Sequence, residues 1–346
     1  MTRKISGSAL LVFVGLFLGG LLLTPCTLHA EKAVKLKVSV SYPAKHPMTV
    51  KAFEVWAKRV EDQTKGDIKV TLFPGSTLSK VNENYDATVA GLCDVSMYVP
   101  AYAAARFPLS NAMNLPMLFS SSTSASLAAW DVYQKFPEFQ KEYSDTKLLF
   151  FYFTPPYEIH TTVNAVNTTE DLKGLQIRTA GPISAKIMEA LGASPIAISM
   201  PEAYLGLQKG VLDGLVSPFG TMRGFKTADV TSFHTTNAKL FSSAFCVVMN
   251  LKKWESLSPE NKKALEAVSG AEAARLFGEV FDSLRTPDIQ YMEEQGDTFT
   301  TIAPEEREKW IMAVKSIREN WVKEMADKGL PGKEILAELI KLSERY

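Results

Sequence analysis

Two stretches of this 346-residue chain repeat one another. "ENYDATVAGLCDV", Glu83 to Val95, and "EAYLGLQKGVLDG", Glu202 to Gly214, carry Glu, Tyr, Gly and Asp at the same spacing: Glu83, Tyr85, Gly91 and Asp94 against Glu202, Tyr204, Gly210 and Asp213. Each reads as a helix that stops at a glycine and turns into a strand, since glycine enters the left-handed region at a helix end without steric cost. Glycine and aspartate are common punctuation at such corners, so four matched residues alone say little. The surroundings add weight, because a Lys-Gly and a short strand precede each helix, "TKGDIKVTLF" and "LKGLQIRTAG". The recurrence points to two similar halves.

Each half alternates strand and helix. "LKVSVSY" alternates like a strand, and "HPMTVKAFEVWAKRVEDQTKG" places Phe53, Trp56, Ala57 and Val60 on one helical face before Gly66 closes it. "DIKVTLF", "STLSKVNENYDATVAG" and "CDVSMYV" continue as strand, helix and strand. In the second half "KLLFFYF" reads as a buried strand and "LKGLQIRTA" as another. "PISAKIMEALG" and "SMPEAYLGLQKG" read as helices, the latter capped by Ser199, and "LDGLVSP" as a strand. This order predicts an α/β fold with parallel pairing. "FSSAFCVVMN" reads as a buried strand returning to the first half. The run "LSPENKKALEAVSGAEAARLFGEVFDSLRTPDIQYMEEQG" predicts an unusually long helix that bridges both halves, kinked or broken at Pro287. The last long helix begins at Pro304, with Trp310, Val314, Ile317, Trp321 and Met325 as a packing stripe.

The first thirty residues stand apart. Arg3 and Lys4 precede an apolar run from Ala9 to Leu23, too short for a comfortable bilayer span. This is the pattern of a secretory signal, with cleavage expected near Ala30. Losing Arg3 and Lys4 lowers the basic count from 38 to 36 against 38 acidic residues, a balance that argues against nucleic acid as a partner. The exported chain keeps Cys93 and Cys246, both in apolar contexts and read as small buried hydrophobes rather than a bridge. With 46% apolar residues, a sizeable core is expected.

Catalytic signatures are absent from the sequence. There is no nucleophile elbow, P-loop, dinucleotide fingerprint, Cys-x-x-Cys or His-Glu-x-x-His, and His46, His160 and His234 are scattered. No cofactor or metal is expected, and the chain reads as a binder rather than an enzyme. Arg178 draws notice because it ends "GLQIR" just before a helix opens. Ligands of parallel sheets sit beyond the carboxyl ends of the strands, where a guanidinium offers a planar fork to a carboxylate.

"LKGLQIRTAG" and "GASPIAISMPEAYLGLQKGVLDG" together resemble the solute-binding proteins of TRAP (tripartite ATP-independent periplasmic) transporters. "GDIKVTLFPGSTLS" and "NLPMLF" extend the likeness over nearly the whole exported chain. The resemblance implies a two-lobed periplasmic-binding-protein-like α/β fold with crossover strands and a long helix spanning both lobes. Its expected layout is residues 1–30 as signal peptide, 31–155 with 243–283 as the first lobe, and 156–242 with 284–346 as the second. It implies a periplasmic receptor that closes on a small organic acid and delivers it to membrane subunits, with Arg178 as the carboxylate-binding arginine. A second arginine common in the family is replaced, by spacing, by Glu158. Ser217, followed by Phe219, stands where relatives often carry Asn-Pro. Tyr98, Tyr102, Tyr157 and Phe219 are expected to line an apolar or aromatic pocket, with Tyr42, His160 and Met200 as further contacts and Glu158 as an acceptor for an ammonium or hydroxyl. The expected ligand is an aromatic or apolar monocarboxylate, amino acids included. A sugar-acid or dicarboxylate receptor, a sensor-input binding protein of the same fold and an exported enzyme are the alternatives.

Overall fold

A computed structural model describes residues 33–346; the leader and its cleavage near Ala30 lie outside the described residues. The strands in chain order are β1 (Val34–Ser39), β2 (Ile68–Phe73), β3 (Val95–Tyr98), β4 (Thr146–Phe153), β5 (Glu158–Thr161), β6 (Gln176–Thr179), β7 (Ser194–Ala197), β8 (Gly214–Ser217), β9 (Phe233–Thr235), β10 (Ala244–Asn250) and β11 (Thr298–Thr300). They form two sheets, ordered β2-β1-β3-β10-β4 and β11-β9-β5-β8-β6-β7. Each sheet is the centre of one lobe.

The duplication is visible in the pairing. β1 lies parallel between β2 and β3, and β6 lies parallel between β7 and β8. In each lobe two helical segments link the three strands: Met48–Phe53 continuing into Glu54–Gln63, then Asn84–Val89; and Pro182–Ala190, then Met200–Gln208. An antiparallel strand then joins each third strand, β10 beside β3 and β5 beside β8. The chain crosses from the first sheet to the second between β4 and β5, and returns between β9 and β10.

The repeated corner is the same construction twice. Asp94 accepts a hydrogen bond from the Lys37 N–H (2.7 Å) while its own N–H donates to the Lys37 carbonyl (2.9 Å). Asp213 does the same with Gln176, at 2.8 and 2.9 Å. The aspartate thus pins the incoming end of the third strand to the first, at Lys37 within β1 and at Gln176 where β6 begins. Gly91 and Gly210 sit at φ +79° and +68°, which closes each helix with a glycine in the left-handed region.

The other two matched positions diverge. Glu202 folds back to the Ser199 N–H at 3.0 Å as a capping box, whereas Glu83 makes no side-chain cap bond. Tyr85 is buried and donates to Asp145 at 2.6 Å, whereas Tyr204 is half-exposed. The Lys-Gly match is also out of frame: Gly66 leads into β2, an outer strand, but Gly174 leads into β6, the counterpart of β1. The true counterpart of β2 is β7, which the sequence pattern hides. It has four half-exposed or exposed residues, includes Pro195 and lies at the sheet edge, where a missing N–H is tolerated.

After β10 and the short helix Leu251–Glu255, the expected long helix is three helices, Pro259–Ala267, Gly270–Ser283 and Arg285–Glu294. Gly270 turns the chain at φ +54°. The second break falls at Leu284, three residues before Pro287, whose ring cannot donate to the preceding turn. Gly270–Ser283 packs on β4 in the first lobe, and Arg285–Glu294 packs beside Phe219–Met222 in the second. The run therefore bridges the lobes through a break. The helix Pro304–Asp327 buries the Trp310–Met325 stripe, and Gly332–Arg345 packs on Ser122–Lys135. Cys93 and Cys246 are free and buried. No helix of the described residues is long and apolar enough to cross a membrane.

Candidate ligand-binding cleft

Between the lobes lies a narrow cleft lined by residues of both. Arg178 is the one charged residue lining it among the described residues. It stands near the carboxyl end of β6 and is 2% exposed. Its Nε donates to the Ile198 carbonyl at 2.9 Å, which fixes the guanidinium plane. Among the described residues it makes no other hydrogen bond and no ion pair, so a buried cation faces the cleft without a carboxylate. Such a charge is costly unless something pairs with it. The helices Pro182–Ala190 and Met200–Gln208 both start at the cleft wall, where Ala180, Met200 and Pro201 line it, so their positive ends add to the same field.

The remaining walls are aromatic, aliphatic and hydroxylic. Tyr42, Tyr102 and Phe245, on β10, come from the first lobe, and Tyr157 comes from the β4–β5 crossing. Phe225 comes from the second lobe. Several are held by other rings: Tyr157 stacks on Phe241 (4.4 Å between centroids) and Phe245 on Tyr152 (4.8 Å). Burial pushes the Tyr157 hydroxyl's pKa up, and the Arg178 charge opposes this. Ser217 and Thr221 share a 2.6 Å hydrogen bond, and Thr154 and Ser243 face the cleft where the crossings meet.

Of the residues expected from sequence, Arg178, Ser217, Tyr42, Tyr102, Tyr157 and Met200 are brought together on the cleft wall. Tyr98, Phe219, His160 and Glu158 are not. Tyr98 lies on β3 between Met97 and Val99, which do line the cleft. Because strand side chains alternate, Tyr98 points the other way, against Tyr85 and Phe107. That alternation was the available signal for Met97 and Val99. Phe219 is buried against His160, His234 and the Arg285 guanidinium, which lies 4.7 Å over its ring, and Phe225 supplies the cleft aromatic instead.

His160 lies behind the wall. Its Nε2 donates to the Ser217 carbonyl (3.0 Å), its Nδ1 meets His234 Nδ1 (2.9 Å), and His234 Nε2 reaches Asp297 (2.9 Å). Burial pulls the pKa of both histidines down, and Asp297 opposes this at His234.

Glu158 is wholly buried at the crossings rather than in the cleft. Its Oε2 accepts from the Ala238 N–H (2.7 Å) and the Thr235 hydroxyl (3.2 Å), and its Oε1 lies 3.6 Å from Arg285 Nη1. Arg285 also donates to the Thr236 carbonyl at 2.8 Å. Glu158 thus ties the β4–β5 crossing to the β9–β10 crossing and to the helix beyond Leu284. Burial raises its pKa to about 7, against the Arg285 charge.

Two similar α/β lobes, crossing strands and one buried cation in the closed cleft define a ligand receptor. Residues 38–324 match the family described as bacterial extracellular solute-binding protein, family 7. The chain belongs to this family, the solute-binding proteins of TRAP transporters, which are receptors and not enzymes. Its fold matches a marine metagenome TRAP solute binding protein specific for aromatic acid ligands, solved with 3-hydroxybenzoate, at TM-score 0.87 and 28% identity, covering 91% of this chain and 99% of that one. It also matches a TRAP periplasmic solute binding protein from Bordetella bronchiseptica with bound mandelate, at TM-score 0.85 and 28% identity over 90% and 99%. A third similarity is to the 2,3-diketo-L-gulonate-binding periplasmic protein YiaO of Escherichia coli K12, 27% identical over 264 residues, 76% of this chain and 79% of the relative.

Proposed function

We propose that this receptor binds a small aromatic or apolar monocarboxylate in the cleft. Arg178 pairs with the carboxylate, and the Tyr42, Tyr102, Tyr157 and Phe225 rings hold the apolar body. The observation that carries this reading is the lone buried guanidinium in a wall of rings and aliphatic side chains. One cation matches one carboxylate, and the cleft offers no second cation to a dicarboxylate. The described residues place no carboxylate on the cleft wall to meet an ammonium, since Glu158 is spent at the crossings. That favours simple acids over amino acids. The 28%-identical relatives with 3-hydroxybenzoate and mandelate support the aromatic class.

Two further steps belong to the same reading. The chain is exported to the periplasm with its leader removed near Ala30, and it delivers its ligand to membrane-embedded TRAP subunits. Closure is a hinge motion at the two strand crossings and Leu284, driven by the ligand's preference for the closed state.

A thermal-shift screen tests the ligand class, because a ligand that binds only the folded state raises the melting temperature. Benzoate, 3-hydroxybenzoate and mandelate should raise it. Strong shifts with succinate or glucuronate and none with aromatic acids would sink the proposal.

A further inference from the structure

At two places beside the cleft where the lobes touch, the second lobe contributes a glycine. A Cβ on Gly181 would lie 2.7 Å from the carbonyl oxygen of Ala101 and 3.1 Å from its Cβ. A Cβ on Gly224 would press on the His46 ring, 3.0 Å from Cγ and closer still to Cδ2 and Nε2. Ala101 and His46 belong to the first lobe, in the segments that follow β3 and β1. None of these four residues lines the cavity, yet each glycine adjoins one that does, Ala180 and Phe225. Gly181 is extended (φ 179°) and neither glycine lies in the left-handed region, so neither backbone conformation requires glycine. The need for glycine lies in the approach of the other lobe.

His46 is shaped for this contact. It is 1% exposed, stacks on Tyr42 at 4.6 Å and lies 5.4 Å from the Phe225 ring. Its Nδ1 accepts the Met48 N–H at 3.1 Å, which leaves the ring proton on Nε2. Nε2 is buried without a hydrogen-bond partner. The imidazole edge therefore meets Gly224 by shape alone.

We infer that Gly181 and Gly224 are closure-seat residues: they set ligand affinity by admitting Ala101 and His46 to the closed interface, without touching ligand. This rests on the reading of the cleft as the binding site. A methyl group at either position should obstruct the closed state while leaving the open lobes intact.

The test is calorimetric titration of benzoate, with D-glucuronate in parallel, into wild type, Gly224→Ala, Gly181→Ala, His46→Ala and the double variant His46→Ala/Gly224→Ala. Overpacking at this interface is expected to cost each glycine variant about tenfold or more in affinity, with the ligand-free melting temperature little changed. In the double variant, affinity should return to that of His46→Ala alone. His46→Ala should not rescue Gly181→Ala. Wild-type affinity in Gly224→Ala would overturn the inference, as would a loss in Gly224→Ala that His46→Ala fails to relieve. If glucuronate binds and benzoate does not, the aromatic reading fails, while the glycine effects measured with glucuronate still decide the seat.

Discussion

The two lobes share a scaffold and differ in what they put behind the cleft. The first lobe backs its wall with packed rings, Tyr85, Tyr98, Phe107 and Tyr143 lying within 6.3 Å of one another in consecutive contacts, and with the uncharged Asn84 amide, which donates to Ser41 Oγ (3.2 Å) and the Met97 carbonyl (3.0 Å). The second backs its wall with charge and hydrogen bonds: the His160–His234–Asp297 chain under Ser217, and Glu158 with Arg285 at the crossings. The lone cation of the cleft is also on the second lobe. A fixed dipolar setting costs no reorganisation when an anion arrives, whereas an apolar wall contributes mainly by excluding water. On the proposed reading, this difference puts the carboxylate's partner on the second lobe and leaves the first without a charge on the cleft wall.

The sharpest way to break this comparison is to remove the charge. Arg178→Ala leaves the ligand carboxylate unpaired in a desolvated site, at a cost of about 3–5 kcal/mol, or more than a hundredfold in affinity. Unchanged affinity in calorimetry would show that the anion is held elsewhere. Trimming the cleft's rings, which both lobes supply, should cost less. Phe225→Ala and Tyr102→Ala should each weaken benzoate by roughly 1–3 kcal/mol through lost ring contact, but change acetate binding little. Equal losses for both acids would mean that the rings do not hold the ligand's body.

A third prediction concerns pH and the lobe interface. Burial lowers the His46 pKa to about 4 in the closed form. Its surroundings there are the Tyr42 and Phe225 rings, Gly224 and the Met48 N–H. Opening exposes the Nε2 edge and returns the pKa toward the ordinary 6.5. The closed state binds the proton less readily than the open state, so acid favours opening. Affinity should hold above pH 6.5 and fall as pH drops from there toward 4, on the order of tenfold between pH 7 and 5. The effect should be absent in His46→Ala. An identical pH profile in that variant would place the titration elsewhere.

How far the sequence disclosed this arrangement depended on the physics behind each residue. The duplicated corner was legible because Gly91 and Gly210 act locally, each closing a helix, whereas the bonds of Asp94 to Lys37 and of Asp213 to Gln176, 57 and 37 residues away, left only a matched spacing in the sequence. Arg178 was legible because the carboxyl end of a parallel strand is a place where ligands gather, and the family likeness gave it a role. Tyr98 was misplaced by one step of a two-residue period, and Met97 and Val99 were the readable alternative. Phe225, Phe245 and Ser243 reach the cleft only through the meeting of distant segments, which no local pattern records. Glu158 looked like a ligand contact by spacing. Its partners, Ala238, Thr235 and Arg285, are 77 or more residues away in sequence and become neighbours only where the crossings converge.

The smallest effect on binding belongs to the shared scaffold. Asp94→Ala and Asp213→Ala should each lower stability by about 1–2 kcal/mol, since each leaves a strand N–H without its acceptor, while affinity for benzoate stays within twofold. Chemical denaturation with calorimetry checks both. Markedly unequal destabilisation would mean that the two corners do different work despite their matching bonds.

The most direct test of the account is mass spectrometry of the small molecule released by denaturing the full chain after purification from a cell able to supply organic acids. An aromatic or apolar monocarboxylic acid, lost from Arg178→Ala, is the predicted result. A dicarboxylate, a sugar acid or a molecule retained by Arg178→Ala would contradict it.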